Sequence, residues 1–120
     1  MSAHRLHHQL YRASKVINDP GDARVIEVIA DLQICEMVTT AAGGETRTLR
    51  NPTKSGILFT LRLKTDGGDA VVTASNGFNV AGATAATFNA VGEQLHMISV
   101  SHTTGYRWEI LVNTGSVGLA

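Results

Sequence analysis

Apolar and polar residues alternate along most of the chain from Glu45 to Thr114, and glycine-rich turns interrupt the alternation. The clearest segment is ILFTLRLK, in which every second residue is apolar: Ile57, Phe59, Leu61 and Leu63. A period of two is typical of a strand with one face in the core and the other in solvent. EQLHMISV and GYRWEILV repeat the pattern, and we predict strands in all three segments.

Further short strands are predicted between these three. ETRTLR reads as a polar alternating strand, and the turn Thr65–Asp69 leads into AVVTA as a hairpin signal. In the last strand, Trp108 shares a face with Tyr106 and Ile110, which predicts that the tryptophan lies in the core. Many strands with little helix between them predict an all-β fold, a small sandwich or barrel that is jelly-roll-like.

Two segments are harder to interpret. Residues 24–40 are rich in β-branched side chains, but Ile26, Ile29 and Ile34 also fit a helical stripe. We predict strands near 24–29 and 32–39. Residues 75–86 are small and glycine-rich, which predicts a surface loop or a loosely paired edge.

The N-terminal segment differs from the rest of the chain. Leu6, Leu10 and Ala13 recur at helical spacing, so residues 3–17 are compatible with a short helix that Asp19-Pro20-Gly21 ends. Whether this segment is helical or extended stays open. We divide the chain into an arm, residues 1–22, which becomes ordered by packing on its own body or on a neighbour, and a β domain, residues 23–120.

Composition limits the class of protein. A chain of 120 residues with 43% hydrophobic and 17% charged residues suits one globular domain, and no apolar run is long enough for a bilayer. The N-terminus lacks the apolar core of a signal peptide, so we expect cytoplasmic synthesis. The single cysteine, Cys35, has apolar neighbours and is interpreted as a small core residue and not as a reactive thiol.

Charge is unevenly distributed although the net charge is zero. Residues 1–15 carry three basic side chains and three histidines without an acid, whereas the remaining residues carry seven basic and ten acidic side chains. Arg47, Arg50, Arg62 and Lys64 are expected to form a basic stripe on one sheet face. Because no exposed aromatic residues accompany it, we expect that stripe to be a solvated surface or a contact with an acidic partner, and we expect no binding of nucleic acid.

Candidate metal sites lack ligands. His4, His7 and His8 have no cysteine or carboxylate near them in the arm to complete a transition-metal site. The Asp66–Asp69 turn has two carboxylates, but calcium needs six or more oxygen ligands. We therefore interpret the histidines as a polar or interface surface and the aspartates as turn residues.

Candidate catalytic groups lack partners as well. His96 and His102 lie near Ser99, but the G-x-S-x-G elbow of a hydrolase does not occur. Glu93 and Glu109 resemble a glycosidase pair only in residue type. No phosphate-binding motif occurs either. We expect a protein that is not an enzyme and uses no cofactor, with a small β-fold hydrolase as the least favoured hypothesis.

The stretch from Glu45 to Val112 resembles the small β proteins that decorate and cement the capsids of tailed bacteriophages. The resemblance is carried by ETRTLRNPTKSGILFTLRLKTDGGDAVVTA, by TFNAVGEQLHMISV with its "VGE" entry to a strand, and by the closing Tyr-x-Trp strand GYRWEILV. It implies an all-β body, commonly trimeric, at three-fold or quasi-three-fold points of the shell. It also implies arms that lie across neighbouring capsid subunits, no cofactor and no catalysis.

We therefore expect a virion structural protein on the capsid surface, a homotrimer whose partner is the major capsid protein. The expected arm contacts are Arg5, Leu6, Leu10, Tyr11 and Arg12, and the expected surface contacts on the body are Arg47, Arg50 and Phe78. The alternative is a phage tail or fibre component with a receptor- or carbohydrate-binding β module. That module would use the 75–86 loop, with Phe78 and Tyr106 as its aromatic contacts.

Overall fold

Ten β-strands in two sheets make up the part of the chain that the computed structural model describes, residues 15–120. The strands are β1 (Lys15–Ile17), β2 (Arg24–Ile26), β3 (Leu32–Thr39), β4 (Glu45–Leu49), β5 (Leu58–Asp66), β6 (Ala70–Thr73), β7 (Ala85–Phe88), β8 (Gln94–His102), β9 (Gly105–Thr114) and β10 (Gly118–Leu119). Sheet A has the order β1-β3-β5-β8-β9, and sheet B has the order β10-β7-β6-β4-β2. Across residues 15–120, no helix has the length and apolarity needed to cross a membrane.

The first six strands alternate between the two sheets. As a result β1, β3 and β5 are parallel neighbours in sheet A, and β2, β4 and β6 are parallel neighbours in sheet B. The later strands add antiparallel pairs, with β8 on β5, β9 on β8, β7 on β6 and β10 on β7. The predicted all-β sandwich is confirmed. Its mixed pairing differs from the antiparallel pairing of a jelly roll.

The core lies between the sheets and confirms the period-two prediction. Phe59, Leu61 and Leu63 of β5 are fully buried, and so is Trp108 of β9. The Trp108 ring meets Phe59 edge-on, with 5.5 Å between ring centroids, and its Nε1 donates to the carbonyl oxygen of Arg50 at 3.1 Å. The only polar atom of the indole is therefore bonded inside the core, as a buried tryptophan requires.

Cys35 is confirmed as a buried core residue on β3. Burial, followed by the negative charge of Asp19, raises the pKa of its thiol to about 12. The thiol is therefore protonated at neutral pH, so Cys35 is an unreactive core side chain.

The hairpin predicted at residues 65–69 is wrong. The turn joins β5 of sheet A to β6 of sheet B, and the two strands do not pair with each other. Its glycines are needed for a different reason, because a side chain on Gly67 would collide with the carbonyl oxygen of Thr39, and one on Gly68 with that of Ala41. A glycine-rich turn can form either a hairpin within one sheet or a connection between two sheets. Here the turn packs against the backbone of residues 39–41 and connects the two sheets.

The predictions for the N-terminal half were correct in part. The strand predicted at 32–39 is confirmed as β3, whereas the strand predicted near 24–29 ends at Ile26. For the segment 3–17, which is compatible with a helix or an extended chain, the described end is extended: Lys15–Ile17 forms β1 and pairs in parallel with β3. Residues 3–14 of that prediction lie outside the described residues.

Candidate interaction surfaces

Arg47 lies in the interior and not on the surface. It is only 1% exposed, so the prediction that it belongs to a surface contact is wrong. Its Nε and Nη2 donate to the two carboxylate oxygens of Asp19 at 2.6 and 2.7 Å, and Nη2 also donates to Glu45 Oε1 at 3.0 Å. Two carboxylates around one guanidinium explain why a charged side chain of sheet B is stable in the interior.

The Arg47 cluster, which we define as Asp19, Glu45 and Arg47, links the two sheets at one edge. Asp19 follows β1 of sheet A and also accepts the Val38 N–H of β3 at 2.9 Å. The other oxygen of Glu45 accepts the N–H groups of Thr40 and Ala41 at 2.6 and 3.0 Å. One set of charge-assisted hydrogen bonds thus connects the segment after β1, the end of β3, the loop between β3 and β4, and β4 itself.

Both carboxyl groups of the cluster have lowered pKa values. Burial acts to raise the pKa of Asp19, but hydrogen bonds from Arg47, Val38 and Gly21, with the charge of Arg47, lower it overall. For Glu45, the two backbone N–H donors lower the pKa most, and Arg47 lowers it further against the effect of burial. Both groups are therefore ionised at neutral pH.

The predicted basic stripe is also wrong as a continuous surface. Arg47 and Arg50 belong to β4 and its end in sheet B, whereas Arg62 and Lys64 belong to β5 in sheet A. Arg50 is exposed and pairs with Glu27 at 2.8 Å, and Arg62 pairs with Glu36 at 3.2 Å. Arg50 is thus the only one of the three expected body contacts whose side chain is on the surface of the described chain.

Phe78 is fully buried, so the prediction that it is a surface contact is wrong. The 75–86 segment holds it in the core through backbone bonds: Phe78 N–H donates to Ala83 at 2.8 Å and Ala74 N–H donates to Thr84 at 2.9 Å. Residue 85 already begins β7. The small residues around Phe78 predicted a surface loop, although the Phe78 side chain itself packs in the core and anchors this loop.

Polar bonds fix the same loop to its surroundings. Asn76 Nδ2 donates to the Tyr106 carbonyl oxygen at 2.8 Å, and Asn76 N–H donates to Asn51 Oδ1 at 3.0 Å. The backbone N–H of Trp108 donates to the Gly77 carbonyl oxygen at 3.2 Å. The tip of the loop is exposed, with Val80 at 77%. The loop is therefore a well-bonded element with a small apolar tip.

The candidate catalytic side chains are engaged in structural bonds. His96 Nδ1 lies 2.7 Å from Thr60 Oγ1, and both residues are buried. Ser99 Oγ donates to the Lys54 carbonyl oxygen at 2.6 Å and accepts the Ile57 N–H at 2.8 Å. A serine that is already held in this way is not presented to a substrate.

The two glutamates are separated and each has its own partner. Glu93 Oε1 accepts the Asn89 N–H at 2.6 Å, whereas Glu109 pairs with Arg107 at 3.0 Å. Glu109 lies opposite Ile98, five residues along β8 from Glu93, which corresponds to about 17 Å of strand. Glycosidase carboxyl pairs lie about 5–9.5 Å apart.

Metal ligands do not converge in the described part of the chain. Among residues 15–120, no group of three or more His, Cys, Asp or Glu side chains could hold a metal ion. The Asp66–Asp69 turn instead uses its backbone, since Gly67 and Gly68 N–H donate to Thr39 Oγ1 at 3.0 and 3.2 Å. The three arm histidines lie outside the described residues.

One row of side chains on the outer face of sheet A is unexpectedly buried. Strand pairing aligns Val16, Ile34, Thr60, His96 and Val112 across all five strands, and we call these residues the central row. Their exposures are 63%, 2%, 4%, 2% and 44% in that order. Ile34 is buried without belonging to the core cluster. The middle of this outer face is therefore shielded, while both edges are open.

The long edge strand β9 also presents apolar side chains. Leu111 and Val112 are 50% and 44% exposed near its C-terminal end. Among residues 15–120, β9 is the edge strand of its sheet. The 75–86 loop bonds the Trp108 N–H and the Tyr106 carbonyl oxygen near its start, so the uncovered part of the edge lies toward Leu111 and Val112. Such an edge is a surface on which another chain can pack.

The expected arm contacts Arg5, Leu6, Leu10, Tyr11 and Arg12 lie outside the described residues. No protein-family model matches the chain, and no curated protein matches it. The resemblance to capsid decoration proteins therefore rests on the sequence segments between Glu45 and Val112 alone.

Proposed function

We propose that this protein is a virion structural protein, a capsid decoration or cement protein that binds the outside of a phage head. The partner is the major capsid protein, and the assembled form is a homotrimer. The protein acts by packing, without catalysis, cofactor or nucleic acid. The observation that carries the proposal is the C-terminal half of edge strand β9, because no strand among residues 15–120 pairs beyond it and Leu111 and Val112 are exposed there.

The edge suits assembly for a physical reason. A sheet edge that stays open in a monomer invites uncontrolled pairing, and a closed symmetric assembly removes that hazard by covering each copy's edge. Leu111 and Val112 would contribute apolar area to such a contact. Neighbouring Arg107 and Glu109 pair with each other and so leave no net charge beside it.

The bonding of the polar side chains supports a structural role. Ser99, Glu93 and the Arg47 cluster all use their polar atoms to fix loops and sheets of the sandwich. These polar side chains therefore stabilise the sandwich itself, as we expect for a protein whose role is structural. Basic arm residues Arg5 and Arg12, with Tyr11 and the exposed Arg50, are the proposed contacts to the acidic surface of a neighbour.

The tail or fibre alternative loses its main support. It needed exposed aromatic side chains in the 75–86 loop, and Phe78 is fully buried. Tyr106 is half-buried, and its carbonyl oxygen accepts a hydrogen bond from Asn76 Nδ2 of the loop. The other aromatic residues of the described chain, Phe59, Phe88 and Trp108, are buried as well, so decoration is the function that we favour.

Three measurements test the proposal. Mass spectrometry of purified virions should find the chain in an amount comparable to the major capsid protein, and cryo-electron microscopy should place sandwich-sized density on the outer shell. A Leu111→Asp, Val112→Asp variant should lose the trimer in light-scattering measurements, whereas Thr46→Asp, Thr48→Asp on sheet B should keep it. Density confined to the tail, or absence from virions, would overturn the proposal.

A further inference from the structure

The buried centre of sheet A's outer face is unusual because sheet B cannot shield it. Core side chains such as Cys35 and Leu61 point from sheet A toward sheet B, and the central row alternates with them on the same strands. No strand of residues 15–120 lies over this outer face. The shielding is also local, since exposure rises from 2% at Ile34 to 63% at Val16 on the neighbouring strand.

Apolar side chains border the central row on one side. Leu32, Leu58 and Ile98 occupy adjacent aligned positions on β3, β5 and β8, and all three are half-buried. On the other side Gln94 is 6% exposed and is aligned with the half-buried ion pair of Arg62 and Glu36. Both Gln94 and His96 have interaction partners. The shielded patch therefore combines an apolar ridge with two engaged polar groups, which is the character of a docking surface and not of a solvated sheet face.

We infer that this patch is the docking surface for residues 1–14 of the same chain. The first reason is position: residue 15 begins β1, the edge strand of sheet A, so the segment before it starts at the rim of the patch. The second reason is reach. The distance across five strands is about 19 Å, and fourteen residues span about 21 Å as a helix and more when extended.

The third reason is chemical complementarity. Leu6, Leu10 and Ala13 form an apolar stripe at helical spacing, and they match the apolar ridge of Leu32, Leu58 and Ile98. At helical spacing His4 and His8 fall on the side of the segment opposite these leucines. The inference refines the set of arm contacts: Leu6 and Leu10 hold the arm, and Arg5, Tyr11 and Arg12 remain for an external partner.

Methyl nuclear Overhauser effects in the full-length protein test the inference directly. We expect contacts from the Leu6 and Leu10 methyl groups to those of Leu58 and Ile98, with none to Leu61 on the core side of β5. A mixed sample of labelled and unlabelled chains, recorded with isotope filtering, should lose these contacts. Contacts that persist in the filtered experiment would identify a second copy as the occupant and overturn same-chain docking.

A pair of matched variants completes the test. Leu6→Glu with Leu10→Glu should shift the methyl resonances of Leu58, Ile98 and Ile34 while leaving core methyls such as Leu61 in place, which also shows that the sandwich remains folded. His4→Glu with His8→Glu adds the same charge at the same spacing on the other side of the stripe and should shift none of them. Unchanged Leu58 and Ile98 resonances in the leucine variant would overturn the inference, and this outcome is independent of any capsid binding.

Discussion

The outer faces of the two sheets differ although both arise from alternating strands. On sheet B, Thr46, Thr48 and Thr73 point outward and are exposed, while their neighbours along the strand are buried. On sheet A, the corresponding outward positions Ile34 and Thr60 are buried as well. Alternation therefore identifies which residues face the core, but it does not tell whether the opposite face meets water or another part of the chain.

This difference suggests a division of roles. Sheet B presents small hydroxyl side chains that tolerate solvent, whereas sheet A presents a shielded patch and, at its edge, the apolar strand β9. We propose that contacts are made through sheet A and that sheet B is the solvent side of the block. Variants on the two sides test that contrast, and the largest effect is expected at the bonds that hold the sheets together.

Removing Arg47 should have the largest effect, because it joins the edge of sheet A to sheet B. Arg47→Ala leaves Asp19 and Glu45 without their shared cation, and we expect the free energy of unfolding to fall by about 3–5 kcal/mol. Arg50→Ala removes an exposed arginine of the same region and should change it far less. Urea denaturation of both variants measures the difference, and equal losses would contradict the structural role of Arg47.

Shortening an apolar side chain should distinguish the two outer faces. Ile34→Ala on sheet A removes buried volume, and we expect a loss of about 2–4 kcal/mol in the free energy of unfolding. Val25→Ala on the outer face of sheet B removes a side chain that is 38% exposed, and the loss should stay below about 1 kcal/mol. A similar small loss at both positions would mean that the sheet A face is solvated.

The Thr60–His96 bond gives a smaller contrast of the same kind. Thr60→Val keeps the shape but removes the hydroxyl that lies 2.7 Å from the imidazole, and we expect a loss of about 1–3 kcal/mol. Thr73→Val is the matched change on sheet B, where the hydroxyl is exposed, and it should alter stability by less than about 0.5 kcal/mol. Thermal unfolding of the two variants would show whether the buried hydroxyl matters.

Acid should weaken the edge that carries the Arg47 cluster before it affects either outer face. Asp19 and Glu45 have pKa values below their ordinary 3.8 and 4.5, so their contribution is present above those values and is lost as pH falls through the lowered ones. We expect the free energy of unfolding to decrease from about pH 5 downward. Asp19→Asn with Glu45→Gln should flatten this dependence, and an unchanged slope would contradict it.

Sequence patterns predicted the parts of the fold that depend on local alternation. Period two identified the buried face of β5 and the core position of Trp108, because each strand carries its own inward and outward residues. Local alternation does not predict which strands pair, because the parallel pairing of β3 with β5 joins residues that are distant in the chain. The glycine turn at 65–69 contained no signal that distinguishes a hairpin from a crossing between sheets.

The surface residues were predicted less well for identifiable reasons. Arg47 shares a strand face with Leu49, and that apolar neighbour two residues away was the one signal that it points inward. Its acceptor Asp19 lies 28 residues away, so local pattern could not find the pair. Phe78 sits in a run of small residues that resembles a mobile loop, and only tertiary packing reveals it as an anchor.

The most direct test of the contrast between the faces is the effect of a soluble gadolinium chelate on methyl relaxation in the full-length protein. We predict strong relaxation enhancement at the Thr48 and Thr73 methyls of sheet B and little at the Ile34 and Thr60 methyls of sheet A. Comparable enhancement on both faces would show that water reaches the centre of sheet A. That result would contradict the account of sheet A as the contact side of the molecule.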